Sequence, residues 1–438
     1  MFITQLGRQP ELSLAELAAV FGAAHVTQVA AEFATVDTKD FDLDQLGGTI
    51  KYGEVIATLP AAKNDAAALA AASKFITATY RKQWQSTSGK LTLGLSAHNL
   101  HVSPRAVQKI GLILKSTLKP HGVNLRLIPN AEPALSTATS HNNRLGTSER
   151  KIELLIIRTN KGLVIAESRG VQNIATYTHR DRHRPRRDAF VGMLPPKLAQ
   201  IMLNLAVGMS AEASNRPAQS PEQSAARDSA GASPTESRSE AVLSDSSGES
   251  AGNNLYILDP FCGTGTVLQE ALLRGFFVAG SDLSEKMVAY TRENLGWLQE
   301  AFHTTGTILN INPADATSYT WHIAHAIDAV ICETYLGQPF SAPPSPAKLQ
   351  EVVRNCNHII STFLRNIHPQ LQPGTPLCIA VPAWQSTDGR FTHLPLIKQL
   401  RDLGFERTIT APLLYHRPGQ VVARELLVLK TTNAPKTA

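Results

Sequence analysis

The sequence predicts an α/β protein of several parts: two small α+β modules, then, beyond a low-complexity tract, a mostly parallel sheet with helices on both faces and a closing antiparallel hairpin. Three observations carry this. The chain has 438 residues, too many for one domain at roughly 100 to 200 residues each. Charge is unevenly spread, with 4 basic and 9 acidic side chains in residues 1–65, 21 and 6 in 66–208, and 17 and 21 in the remainder. Past residue 255, short apolar runs alternate with amphipathic stretches, the pattern of parallel strands covered by helices.

The first module, residues 1–65, reads as strand 2–6, helix 12–21, strand 26–36, a short helix and strand 55–59. The second, 66–175, opens with helix 66–83 and continues with strands 90–96, 125–128, 151–158 and 162–169. Its helix 103–118 has Pro104 near the start, where a missing N–H costs nothing. Residues 176–209 form a connector and a helix. Residues 210–254 are mostly Ser, Ala, Glu, Asn and Pro, with Val242 and Leu243 almost alone as large apolar side chains. Such a segment cannot bury enough surface to offset its ordering entropy, so a disordered insertion is expected there. The last domain, 255–432, reads as strands 256–258, 276–280, 329–332 and 377–381, helices 266–274, 286–298 and 349–366, and a hairpin of 408–413 with 425–429.

Composition excludes several classes. A hydrophobic fraction of 43% with 18% charged residues is that of a soluble globular chain. No run approaches the roughly 20 apolar residues of a membrane span, and the first residues lack the order of a signal peptide, so a cytoplasmic protein with no membrane partner is expected. The four cysteines, Cys262, Cys332, Cys356 and Cys378, form no CxxC pair. Reduced thiols are expected, with neither a zinc site nor a disulfide framework.

The most informative string is Asp259 to Thr266, DPFCGTGT, between a strand and a helix. Gly263 and Gly265 let the backbone turn sharply and approach a ligand closely. Asp259 stands where open α/β sheets bind ligands, at a strand end. A phosphate-binding loop would need Lys then Ser or Thr after the glycines, and the carboxylate would repel a pyrophosphate. A cationic or zwitterionic nucleoside fits better. Asp282 ends the next strand, placed to accept from ribose hydroxyls, and Asp315 follows a third apolar run, near an adenine edge. Each carboxylate alone also reads as a cap or loop start. Together, at successive strand ends, they point to S-adenosylmethionine.

The DPFCGTGT string with Asp282 and Asp315 resembles the cofactor site of class I (Rossmann-like) methyltransferases, which adds Phe261, Cys262 and Thr264 to the expected cofactor contacts. Residues 177–206 (YTHRDRHRPRRDAFVGMLPPKLAQIMLNLA) resemble the connector and first catalytic helix of the tRNA guanine-N2 methyltransferases that carry a THUMP RNA-binding domain. QLGRQPELSLAELA and LGGTIKYGEV resemble that family's ferredoxin-like N-terminal domain, and YHRPGQVVARELLVL its terminal hairpin. The resemblance implies a ferredoxin-like module, a THUMP-like module and a class I methyltransferase domain. It also implies transfer of a methyl group from S-adenosylmethionine to the exocyclic amine of a guanosine in tRNA.

Charge agrees with a nucleic-acid partner. Arg180, Arg182, Arg184, Arg186 and Arg187 crowd one short run and are expected to hold tRNA phosphates. The other expectation is an internal clamp against the acidic first segment. His179 and His183 have ligand-like spacing, but no carboxylate or thiol cluster completes a metal site. At the acceptor position the family has Asp or Asn, two prolines and an aromatic, whereas this chain has Glu333, Thr334, Tyr335 and Leu336. Glu333 keeps an acceptor oxygen and Tyr335 or Phe340 offers a stacking ring, but the rigid proline turn is expected to be lost. Glu333 and Tyr335 are therefore the candidate catalytic residues. The competing expectations are an amino-methyltransferase on another RNA or DNA base, and a catalytically silent RNA-binding protein.

Overall fold

The computed structural model describes residues 1–87, 89–188, 193–213 and 255–433. Strand β1 (Phe2–Leu6) leads into helix α1 (Pro10–Phe21), which opens on its proline and buries Leu12, Ser13, Glu16 and Leu17. The run 26–36, expected as one strand, folds back at residues 31–32 into β2 (Val26–Ala30) and β3 (Phe33–Val36). Strand β4 (Thr49–Leu59) is longer than expected. Helix α2 (Asp65–Trp84) is capped by Asn64, whose Oδ1 accepts from Ala67 N at 2.8 Å, one of the free donors of a helix start. There follow β5 (Lys90–His98), α3 (Pro104–Leu118), β6 (Asn124–Leu127), α4 (Thr137–Asn142), β7 (Lys151–Thr159) and β8 (Gly162–Val171).

The two front segments share one sheet, of order β2-β3-β1-β4-β8-β7-β5-β6. Strand β4 pairs antiparallel with β1 on one side and β8 on the other, so the ladder runs straight across residue 65. Within it Lys51 Nζ lies 2.5 Å from Glu153 Oε1, both buried, with Ser96 and Ser140 donating to the same carboxylate. Buried charges persist only when paired in this way.

Helices α5 (Ile174–Arg182) and α6 (Pro196–Ala213) lead to the second half. Helix α6 runs four residues into the tract expected to be disordered, and 214–254 lie outside the described residues. Then come β9 (Tyr256–Asp259), α7 (Thr266–Leu272), β10 (Phe277–Asp282), α8 (Glu285–Phe302), β11 (Thr307–Pro313) and β12 (Ala329–Glu333). The chain ends with α9 (Pro346–Ile367), β13 (Pro376–Gln385), β14 (Phe391–Thr392), β15 (Phe405–Arg407), β16 (Leu413–Tyr415) and β17 (Val422–Thr431).

Their sheet has the order β11-β10-β9-β12-β13-β17-β15, with β14 on β13 and β16 on β17. The first five strands are parallel, and β17 inserts antiparallel between β13 and β15. This is a Rossmann-like sheet with an antiparallel strand inserted near one edge. The strand expected over 408–413 is instead mostly a loop between β15, which ends before it, and β16, which starts at its last residue; both strands pair with β17. Leu198, Met202, Leu268 and Leu295 from α6, α7 and α8 cover one face, and Ile360, Phe363 and Leu364 of α9 the other. No described helix is long and apolar enough to cross a membrane.

Helix α1 packs on α6 where no side chain intervenes. A Cβ on Gly208 would sit 2.3 Å from Ala19 O, and one on Gly47 would sit 2.1 Å from Lys197 O. Between them the buried Glu16 carboxylate accepts from Gly47 N (2.8 Å), Gly48 N (2.7 Å) and Asn204 Nδ2 (2.6 Å). Asn204 and Arg274 both donate to Gln45 O, at 2.7 and 2.6 Å. Front and rear halves thus meet through satisfied polar groups and direct backbone contact.

Candidate active site

The glycine turn after β9 is held by three hydrogen bonds from two elements. Cys262 N donates to Ser281 O at 2.8 Å, tying it to β10. Thr291 Oγ1 donates to Gly263 O (2.7 Å) and Asn294 Nδ2 to Thr264 O (2.9 Å), tying it to α8. Gly263 and Gly265 have φ of 51° and 85°, values that penalise a side chain. Their surroundings differ. A Cβ on Gly265 would press on Thr291 at 3.0 Å, whereas one on Gly263 would meet nothing within 4 Å, so the turn opens onto free space at Gly263.

Carboxylates ring that space. Asp282 Oδ2 accepts from Gly263 N and its Oδ1 from Ser284 N, both at 2.9 Å, leaving further lone pairs on each oxygen. Asp259 is 2% exposed and accepts from Phe261 N at 3.1 Å. Burial pushes its carboxyl well above the usual range, and the charges of Asp282 and Glu333 push it further. A cation placed among these groups would relieve that repulsion. Phe261 stands edge-on to Phe363 at 5.0 Å, and Cys262 is buried with its thiol pushed up by that burial. Asp315 is exposed two residues past β11. The Thr317 hydroxyl and N–H, at 2.7 and 2.9 Å, hold its carboxyl below the usual range. Ala314 N donates to Asp282 O at 2.9 Å, which brings this segment to the same edge.

At the end of β12, Glu333 forms an ion pair with Arg424 Nε of β17. Burial raises the Glu333 carboxyl and Arg424 pulls it back. Thr334 is buried, and its N–H and hydroxyl both donate to Ala380 O, at 3.0 and 2.9 Å, which ties the first residue of the proline-free loop to β13. Tyr335 is 41% exposed, while Phe340 packs against the α9 side of the core. The Tyr335 ring borders a cavity of about 550 Å³ also lined by Lys348, Arg354 and His358.

The arginine run needs correction. Arg180 is buried, its guanidinium 4.1 Å over the Tyr177 ring and its Nε 2.8 Å from Glu270 Oε1 on α7, although that N–H is not aligned on the carboxylate. Arg184 is 2% exposed, donating to Thr266 Oγ1 at 2.8 Å. Arg186 Nε lies 2.6 Å from Glu293 Oε2 on α8. Arg180 and Arg184 are therefore closed to phosphate, because they fasten α5 and the connector to α7. The clamp exists, but its partners belong to the rear half and not to the acidic first segment. Arg182 and Arg187 stay exposed. The His179 ring packs on Trp297 and Phe302, at 5.6 and 5.3 Å, and the described residues hold no group of three His, Cys, Asp or Glu suited to a metal.

No family model matches the chain. Over 164 residues it is 30% identical to the tRNA (guanine(10)-N2)-dimethyltransferase of Methanothermobacter thermautotrophicus, an alignment covering 37% of this chain and 43% of that protein. The chain thus spans less than half the length of the curated relative it matches. Among solved structures, TrmN from Thermus thermophilus aligns over 98% of this chain and 99% of its own at 16% identity, with a TM-score of 0.48. Magnesium protoporphyrin IX methyltransferase from Synechocystis, solved with bound SAH, aligns over 41% of this chain and 74% of its own at 19% identity, with a TM-score of 0.28.

Two residues of this edge escape a reading by motif. Leu283, directly after Asp282, is 76% exposed, an apolar surface beside the open turn. Arg424 had a legible signal. Val422, Arg424, Leu426 and Val428 alternate onto one face of a strand, and a charge among inward-facing apolar residues requires a partner.

Proposed function

We propose that the protein is an S-adenosylmethionine-dependent methyltransferase acting on the exocyclic N2 amine of a guanosine in tRNA. The observation that carries this reading is the open glycine turn at Gly263, ringed by Asp259 and Asp282, with Glu333 at the neighbouring strand end. A 30% identical relative named as a tRNA guanine-N2 dimethyltransferase supports the substrate class.

The donor set fits the cofactor. Asp282 would accept from the ribose hydroxyls through its remaining lone pairs, Leu283 would cover an adenine face, and Asp315 would lie toward its amine. Asp259 would supply the negative potential that a sulfonium requires. When bound, S-adenosylmethionine supplies a methyl group on positively charged sulfur. Glu333 would accept an N–H of the target amine, aim the nitrogen lone pair at that methyl carbon, and stabilise the positive charge that develops on nitrogen. The base must leave its stack, at a cost of a few kcal/mol that stacking on Tyr335 partly offsets. Residues 1–65 and 66–175 would serve as the ferredoxin-like and THUMP-like parts of an RNA-gripping unit, with exposed Arg182 and Arg187 at its border with the catalytic domain, 255–432.

Nucleoside mass spectrometry of tRNA from cells with and without the gene tests the reading, together with methyl transfer by purified protein to unmodified tRNA. Loss of an N2-methylated guanosine is expected. A methyl group found instead on adenine or cytosine would replace the substrate, and binding of tRNA and cofactor without transfer to any transcript would leave a silent RNA-binding protein.

A further inference from the structure

Arg424 is held in the sheet by its ladder to Pro382 and Tyr415 and is 9% exposed. Its Nε is committed to Glu333, and among the described residues its two terminal nitrogens have no assigned partner. Both side chains keep a small solvent exposure, 10% for Arg424 and 16% for Glu333. The pair therefore presents a carboxylate with spare lone pairs beside a guanidinium with spare N–H donors. It does so at the strand end where Glu333 also acts on the charge of Asp259.

Resting on the reading above, we infer that the Glu333–Arg424 pair reads the Watson–Crick edge of guanine. That edge offers two adjacent donors, N1–H and the N2 amine, followed by the O6 acceptor. A carboxylate takes both donors and an arginine alongside it donates to O6, while the amine retains the lone pair that attacks. Adenine presents an acceptor at N1 and its amine at the other end of the edge. It would set a lone pair against the carboxylate and leave the guanidinium opposite a donor. Arg424 would thus be a specificity residue that touches the base, besides holding Glu333 in place.

The test uses the full chain and an unmodified tRNA transcript on which the methylated guanosine has been mapped, rebuilt with 2-aminopurine at that position. This base keeps the N2 amine but lacks both N1–H and O6. Wild-type protein is expected to prefer guanine by about 100-fold or more in kcat/KM, since a site built to bond a polar group rejects an analogue lacking it. Arg424→Met is expected to lower transfer to guanine about 10- to 100-fold, the effect of losing a hydrogen bond to a charged group, while transfer to 2-aminopurine, which loses only the positioning of Glu333, falls less, so that the preference for guanine narrows. Arg424→Lys, which keeps a charge and a point donor, should recover part of the loss. A purely structural role would lower both substrates together and leave their ratio at the wild-type value, and that result overturns the inference. Wild-type protein alone also decides it, because equal rates on the two bases would overturn it whatever the variants do. Absence of any methylated guanosine on the wild-type transcript is a separate outcome that removes the reading beneath the inference.

Discussion

Replacing Asp282 by Ala removes two kinds of contact. In the apoprotein the carboxylate accepts the N–H groups of Gly263 and Ser284, one on each oxygen, and in the proposed complex it also accepts from the ribose. Bonds to a charged acceptor contribute about 1.5 to 3 kcal/mol. At about 1.4 kcal/mol per tenfold, treating the ribose contact as one unit of that size predicts about 10- to 150-fold weaker cofactor binding. The backbone donors are partly solvated, so water replaces much of what they lose and the fold should survive with a lowered melting temperature. Calorimetry with S-adenosylmethionine and with its product, S-adenosylhomocysteine, whose sulfur carries no charge, separates the roles. Asp282→Ala should weaken both to the same degree, because the ribose is common to them. Asp259→Asn should weaken the charged cofactor more than the product. An unchanged dissociation constant in a folded Asp282→Ala protein would refute the assignment.

Four further perturbations address the arginines, the helix contact and a buried acid. Arg182→Ala with Arg187→Ala should weaken tRNA binding and reduce its salt dependence by about 0.7 to 0.9 log units for each phosphate no longer neutralised. Arg180→Met should leave that slope alone but cost about 1 to 3 kcal/mol of stability, since it takes from the buried Glu270 the first of its charge partners and leaves only Arg274 and Arg184 to offset it; denaturant titration and filter binding read the two effects. Gly208→Ala places a Cβ 2.3 Å from Ala19 O. The resulting strain, about 1 to 3 kcal/mol, should exceed the gain of about 1 kcal/mol in helix propensity, so the melting temperature should fall. Burial holds the Glu270 carboxyl up at about 7, against the pull of Arg180, from an ordinary 4.5. The folded state therefore keeps a proton that the unfolded state releases, and Glu270's contribution to stability is present below the ordinary value and lost as pH rises toward 7. Urea midpoints should decline across that window in the wild type and decline less steeply in Glu270→Gln, where the other raised carboxyls, Glu16, Asp259 and Glu333, still contribute.

What could be read in advance follows physical range. Parallel strands covered on both faces announce themselves as apolar runs, and Gly263, Gly265, Asp259 and Asp282 lie in two short strings whose turn chemistry is local. The arginines misled because sequence records their density but not their direction. Arg180 near the end of α5 and Arg184 just beyond it both turn toward α7, and only the buried polar residues of α7, Thr266, Gln269 and Glu270, hinted that something had to meet them. The anchoring of the acceptor loop was hidden for a related reason, because Thr334 bonds a carbonyl 46 residues away. The continuous front sheet depends on the ladder between β4 and β8, over a hundred positions apart, which no periodicity encodes.

The contact between α1 and α6 gives the molecule a fixed reach. With backbone against backbone at Gly208 and Gly47, and the Glu16 carboxylate satisfied by donors from both sides, the halves cannot slide without exposing a buried charge. If the front sheet grips one part of a tRNA and the Gly263 edge acts on another, the protein works as a caliper, and the target is chosen by its distance from the gripped end. Lengthening the RNA by one base pair between those points moves the target nucleotide along the helix and around its axis. Under the proposed activity, methylation should then fall on a different guanosine or stop, even though every base the protein touches is unchanged.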